Sequence, residues 1–178
     1  MPRLSQKRIR AHFVEGDRPG VTMAQRGRAL EKLCCYLFGA IPGIEIAMTN
    51  KLNAFETEEI DIAFWNEQHR DGLWFLPTLI LVECKNWSSA VGSQEVSYFV
   101  SRLAERGCNY GILVATQGVT GSAADLTRSH FILATALSRG IRALVISRAE
   151  IESLPDTARL VRLLKEKLCE LTVSGTNL

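Results

Sequence analysis

LILVECKNW, residues 79–87, runs four apolar residues straight into Glu83 and Lys85. So short and apolar a run reads as a strand buried in a sheet, where an unpaired carboxylate or ammonium costs several kcal/mol. Side chains on a strand alternate faces, so Glu83 and Lys85 project to one side, with Leu81 and Leu79 further back. Both charges stand at the C-terminal end of the strand, and the pair is the chain's only E-x-K.

Upstream, IEIAMTNKL (44–52) and EEIDIAFW (58–65) are alternating or β-rich segments joined by a polar turn, and NEQHRDG (66–72) is a loop leading to the charged strand. Three strands in succession predict an antiparallel meander. Before them, from Met23, the apolar residues Leu30, Leu33, Cys34, Leu37, Phe38 and Ile41 keep a helical rhythm that stops at Pro42-Gly43. Downstream, SQEVSYFVSRLAERG (93–107) has helical spacing, YGILVAT (110–116) is a short buried strand, and a helix from about Ser122 to Arg139 leads to IRALVIS (141–147). A final amphipathic helix gathers Leu160, Val161, Leu163, Leu164 and Leu168. Helices alternating with short apolar strands imply right-handed crossovers and a partly parallel sheet. The expected fold is α/β: an αβββαβαβα core whose mixed central sheet is flanked by helices.

A chain of 178 residues, 47% hydrophobic, suffices for one domain with a real core. Its net charge of +2 allows a polyanionic partner but is far from an electrostatic DNA coat. Cys34, Cys35, Cys84, Cys108 and Cys169 form no CxxC pair and keep mostly apolar company, which favours a reducing compartment. With no signal-peptide pattern and no run of 18 apolar residues, the expectation is a soluble, cytoplasmic protein without a membrane partner. Residues 1–22, carrying Arg3, Lys7, Arg8 and Arg10, read as a basic arm or lead-in, a solvated tail or one that touches phosphate. Residues 23–152 read as the domain proper, and 153–178 as a C-terminal helix packed on it.

In EEIDIAFW, Ile60, Ile62 and Phe64 take one face and Asp61 the other. If this strand neighbours LILVECK, Asp61 and Glu83 approach, and two carboxylates held together repel unless a proton or cation sits between them. Oxygen ligands suit Mg²⁺, whereas the chain offers no His or Cys cluster for zinc. Lys85 would then stand near the attacking water or a phosphate oxygen and stabilise charge there; the bland alternative is a structural ion pair at a strand end. Glu56, Glu58 and Glu59 read mainly as solvated turn charges. GVTGS (118–122) is a helix start able to offer N–H groups to a phosphate. His12, His69 and His130 have no common setting.

Asp61 after a β-turn-β segment, followed by Glu83-Cys84-Lys85, resembles the D…(D/E)xK signature of the PD-(D/E)XK nuclease superfamily, the restriction-endonuclease-like fold. Within it the chain is similar to Mrr-type restriction endonuclease domains, whose preceding helix carries G-x-x-x-E; here that is Gly27 to Glu31. VECKNW, the Gln94-to-Tyr98 Q-x-x-x-Y element and YGILVATQGVTGSAADL extend the likeness over about residues 23–152, and Ile60 stands where the family name has proline. The resemblance implies Mg²⁺, with Mn²⁺ able to substitute, on Asp61, Glu83 and the Cys84 carbonyl, with Glu31 completing the acidic cluster. It also implies Lys85 assisting the attacking water, Gln94 orienting Lys85 or a water on the metal, and Tyr98 touching substrate or packing; Trp87, by itself, reads as a stacking face for a base or sugar or as closing the core edge. The implied activity is endonucleolytic hydrolysis of DNA in restriction or antiphage defence. No GxxxxGK[ST] loop occurs and no base-reading module is evident, so a homodimer or a separate recognition or NTPase subunit is expected. A junction-resolving or RNA nuclease of the same fold, and a catalytically silent scaffold, are the alternatives.

Overall fold

The computed structural model describes residues 1–52, 59–120 and 128–175. In chain order its elements are α1 (Gln6–Asp17), α2 (Met23–Gly39), β1 (Ile44–Leu52), β2 (Glu59–Asn66), β3 (Leu79–Lys85), α3 (Ser93–Glu105), β4 (Tyr110–Ala115), α4 (Arg128–Ser138), β5 (Arg142–Ile146), α5 (Arg148–Glu152) and α6 (Thr157–Ser174). The strands form one sheet in the order β1-β2-β3-β4-β5. The first three are antiparallel, as the meander requires, and β3, β4 and β5 run parallel. The α/β architecture with a mixed sheet is thus the one the sequence pattern predicts.

The two faces of the sheet carry separate cores. Ile62, Phe64, Ile80 and Val82 meet Leu30, Leu33 and Leu37 of α2 and the leucines of α6, and Phe38 stacks on Phe64 at 5.1 Å. On the other face, Leu81, Leu113 and Val145 meet Val96, Phe99 and Leu103 of α3 and Leu133 of α4. Buried on both sides, β4 is apolar throughout, without alternation. Thr22 and Gln25 form a capping box that starts α2 at Met23, and Gly43, at φ +77°, turns the chain into β1.

Two helices were not expected. Residues 1–22 are not a loose arm: Ser5 caps α1, Leu4, Ile9 and Phe13 are buried, and Arg148 joins Asp17 at 2.6 Å. The isolated pair Ile9 and Phe13 gives too short an apolar stripe to announce a helix; the face they need is supplied by distant residues. The other is the short α5, started by a Ser147/Glu150 capping box. Of the expected helix from Ser122, the part within the described residues is α4; residues 121–127 lie outside them. No helix among the described residues is long and apolar enough to cross a membrane.

The loop between β2 and β3 is clamped to the end of α2. A Cβ added at Gly72 would lie 2.1 Å from the Pro42 carbonyl oxygen, a backbone atom that can move only with the chain. Gly72→Ala is therefore expected to cost about 1–3 kcal/mol, read as a lower urea midpoint with an unchanged slope.

Candidate active site

The antiparallel ladder of β2 and β3 runs from Trp65↔Leu79 to Ile62↔Val82 and stops there. Where it would continue, the Asp61 carboxylate enters: Oδ2 accepts the backbone N–H of Cys84 at 2.6 Å. The strands part at this point, and the alternation expected of β2 breaks with them. Ile60 packs against the α3/α4 core, whereas Ile62 and Phe64 lie in the α2/α6 core, so the three do not share a face. The parting opens a cleft of about 250 Å³ at the C-terminal end of β3, walled by Gly27, Glu31, Asn50, Asp61, Lys85 and Trp87, among others.

Glu83 sits behind that wall, 4% exposed. Its Oε1 meets Lys85 Nζ at 2.7 Å and its Oε2 meets Arg102 Nη1 at 2.7 Å. The buried Glu83 is thus paired on both oxygens, by the partly exposed Lys85 and by Arg102. Arg102 also donates to the Glu59 carbonyl at 3.2 Å, tying α3 to the start of β2. Lys85 lies 5.7 Å from the centre of the Trp87 ring. From α2, the buried Glu31 accepts from Asn50 Nδ2 at 2.8 Å, and Asn50 takes a left-handed backbone, φ 49°.

Burial and the neighbouring Glu83 push the Asp61 carboxyl up to about 7, against the pull of the Cys84 N–H and Lys85. Burial likewise raises Glu31, opposed by the Asn50 hydrogen bond, with Glu59 and Glu83 adding repulsion. The cleft thus gathers more carboxylate than its cations balance, and its donors are oxygens, a set that fits a hard divalent cation. Asp61 and Glu31 face the cleft, whereas Glu83 is not in its wall and pairs with Lys85 and Arg102. Among the described residues no three His, Cys, Asp or Glu side chains are close enough to form a metal cage by themselves.

Of the residues singled out in the sequence, Asp61, Cys84, Lys85, Glu31 and Trp87 line one cleft, as does Glu59. Gln94 and Tyr98 do not. Gln94 Nε2 donates to the Tyr98 hydroxyl at 2.8 Å, both are exposed on α3, and neither is in the cleft wall. Their four-residue spacing suits a bond along the helix, which uses the amide that the motif would have aimed at Lys85. Glu56 and Glu58, and Gly121 and Ser122 of the GVTGS turn, lie outside the described residues.

Arg102 and Asn50 were missed. Arg102 left a trace, a single cation beside the apolar stripe Phe99, Val100 and Leu103 of α3; Asn50 left none. Arg102→Met leaves Glu83 with one partner and is expected to cost about 1–3 kcal/mol, measured by urea unfolding beside a surface control such as Arg162→Met.

Comparison with protein families finds that residues 23–138, well over half of the chain, match the Mrr_cat family model, described as restriction endonuclease. No curated protein matches the chain. The matched span contains Glu31, Asp61, Glu83, Lys85 and Arg102 and leaves out α1, β5, α5 and α6.

Proposed function

This chain belongs to the Mrr_cat restriction endonuclease family, and from that we propose that it is a Mg²⁺-dependent endonuclease hydrolysing DNA phosphodiester bonds. The observation that carries the reading is the half-buried Asp61 carboxyl, crowded by Glu83 and held to the Cys84 N–H, with Lys85 in the same cleft wall. Asp61 and Glu31 would hold the ion, with the Cys84 carbonyl, and with Glu83 once Lys85 turns to substrate. When bound, a divalent cation supplies Lewis acidity toward phosphoryl oxygens and neutralises the carboxylates. Lys85 is a movable ammonium that can follow the charge growing on the phosphoryl oxygens or orient the attacking water. Arg102 keeps Glu83 in place while Lys85 is away, and Asn50 fixes the rotamer of Glu31. Trp87 closes the cleft and offers a flat face to a sugar or base.

The wider reading is a nuclease of restriction or antiphage defence, acting as a homodimer or beside a separate recognition or NTPase subunit. It rests on the restriction endonuclease description of the matched family. One observation favours the silent-scaffold alternative: both Glu83 oxygens are already engaged. Supercoiled plasmid separates the two. Nicked or linear product with Mg²⁺ or Mn²⁺, lost on chelation, is the expected result. No product with either ion, or equal product in chelator, would overturn the proposal. Running branched DNA, single strands and RNA at the same salt separates the other nucleases of this fold.

A further inference from the structure

A second groove, of about 490 Å³, runs beside the cleft between α1, α2 and β1, and Arg28, Glu31 and Asn50 line both. Its remaining walls include Arg8 and His12 of α1, Lys32 and Tyr36 of α2, and Ile46 of β1. We propose that this groove seats the phosphodiester backbone of a DNA duplex to one side of the bond to be cut, with Arg8 and Arg28 as its phosphate-binding residues. The inference rests on the nuclease reading and adds to it a substrate-binding role for α1, which lies outside the family match.

Charge selects the occupant. Lys32 is matched by Glu15 at 3.0 Å, and burial lowers the pKa of His12 against the pull of Glu15. Arg8 and Arg28, both exposed, form no ion pair with a carboxylate among the described residues, although Arg28 lies near enough to Glu31 to favour its charged form. Arg8 is held in place all the same, its guanidinium 4.1 Å over the Tyr36 ring. That stacking orders the planar head without using its N–H donors, which stay free for phosphate oxygens.

Rigidity supports the same assignment. Ile9 and Phe13 anchor α1 in the core, and a Cβ added at its Gly16 would lie 2.6 Å from Nδ2 of Asn86, the residue after Lys85. The helix therefore rests on the end of the catalytic strand, and a phosphate bound at Arg8 is registered against the cleft.

The test measures binding of the full chain to a fluorescein-labelled blunt DNA duplex, in chelator, across a salt series. Arg8→Gln and Arg28→Gln should each make the slope of log affinity against log salt shallower by about 0.9. Arg10→Gln, the same charge change on the opposite side of α1, should leave the slope as it is. Arg8→Lys should restore most of it. In Mg²⁺, the loss for Arg8→Gln should fall on KM more than on kcat. Unchanged slopes for Arg8→Gln and Arg28→Gln in a protein that binds and cuts DNA, or an equal change for Arg10→Gln, overturn the groove and leave the nuclease reading standing. Failure of the unsubstituted chain both to bind and to cut DNA overturns the nuclease reading, and the groove falls with it.

Discussion

Lys85→Ala should lower plasmid cleavage by about 10²–10³-fold at saturating Mg²⁺, the usual cost of removing one charge-stabilising group from a reacting centre. The fold should survive. Lys85 is partly exposed, and without it Glu83 still has Arg102 at 2.7 Å, so the buried carboxylate is not abandoned. The substitution also frees Glu83 Oε1, so affinity for the cation should hold or rise while kcat falls, a split visible by calorimetric titration beside the cleavage assay. Lys85→Arg should not rescue the rate, because a planar guanidinium does not reproduce a compact, mobile ammonium. Cleavage by the alanine variant at the unsubstituted rate would remove Lys85 from the chemistry.

The second large effect is on stability and follows from Asp61. Its carboxyl is raised from an ordinary 3.8 to about 7 in the metal-free fold by burial and Glu83. Between those values the unfolded chain has released the proton and the folded chain still holds it. Stability from this group is therefore complete below about pH 3.8 and is lost as pH rises through about 7. The loss is on the order of a few kcal/mol. Asp61→Asn keeps an acceptor for the Cys84 N–H without the charge, so it should flatten the pH dependence and stabilise the metal-free protein at pH 8. Mg²⁺ should flatten it too, by taking the place of the proton, and its apparent affinity should rise with pH up to about 7. Urea midpoints at pH 5 and pH 8, with and without Mg²⁺, check all of this. Equal pH dependence in the unsubstituted and Asn proteins would show that Asp61 does not carry it.

Local patterns account for most of what could be read in advance. The helical period of Leu30, Leu33, Cys34, Leu37 and Phe38, the apolar run of β4 and the stop at Pro42-Gly43 are properties of neighbouring residues, and they were enough for the strand order and fold class, though not for α1 or α5. Glu83 and Lys85 stood out for a related reason: a charge inside an apolar strand contradicts its surroundings, and that contradiction is visible in one dimension.

What the sequence by itself determined, then, was the order of the strands and of the helices between and after them apart from α5, the mixed sheet, and the placing of Asp61, Glu83 and Lys85 on neighbouring strands. Tertiary structure alone decided the partners. Arg102 reaches Glu83 on β3 from helix α3, Asn50 reaches Glu31 across 19 residues, and Arg148 fastens α1 across 131. It also decided that β2 and β3 part at Asp61, turning Ile60 to the other face, and that Gln94 spends its amide on Tyr98. The reason is physical. Period and capping act over a few residues and are written in composition, whereas a salt bridge or hydrogen bond needs two groups within about 3 Å, a condition that only the packed chain can meet.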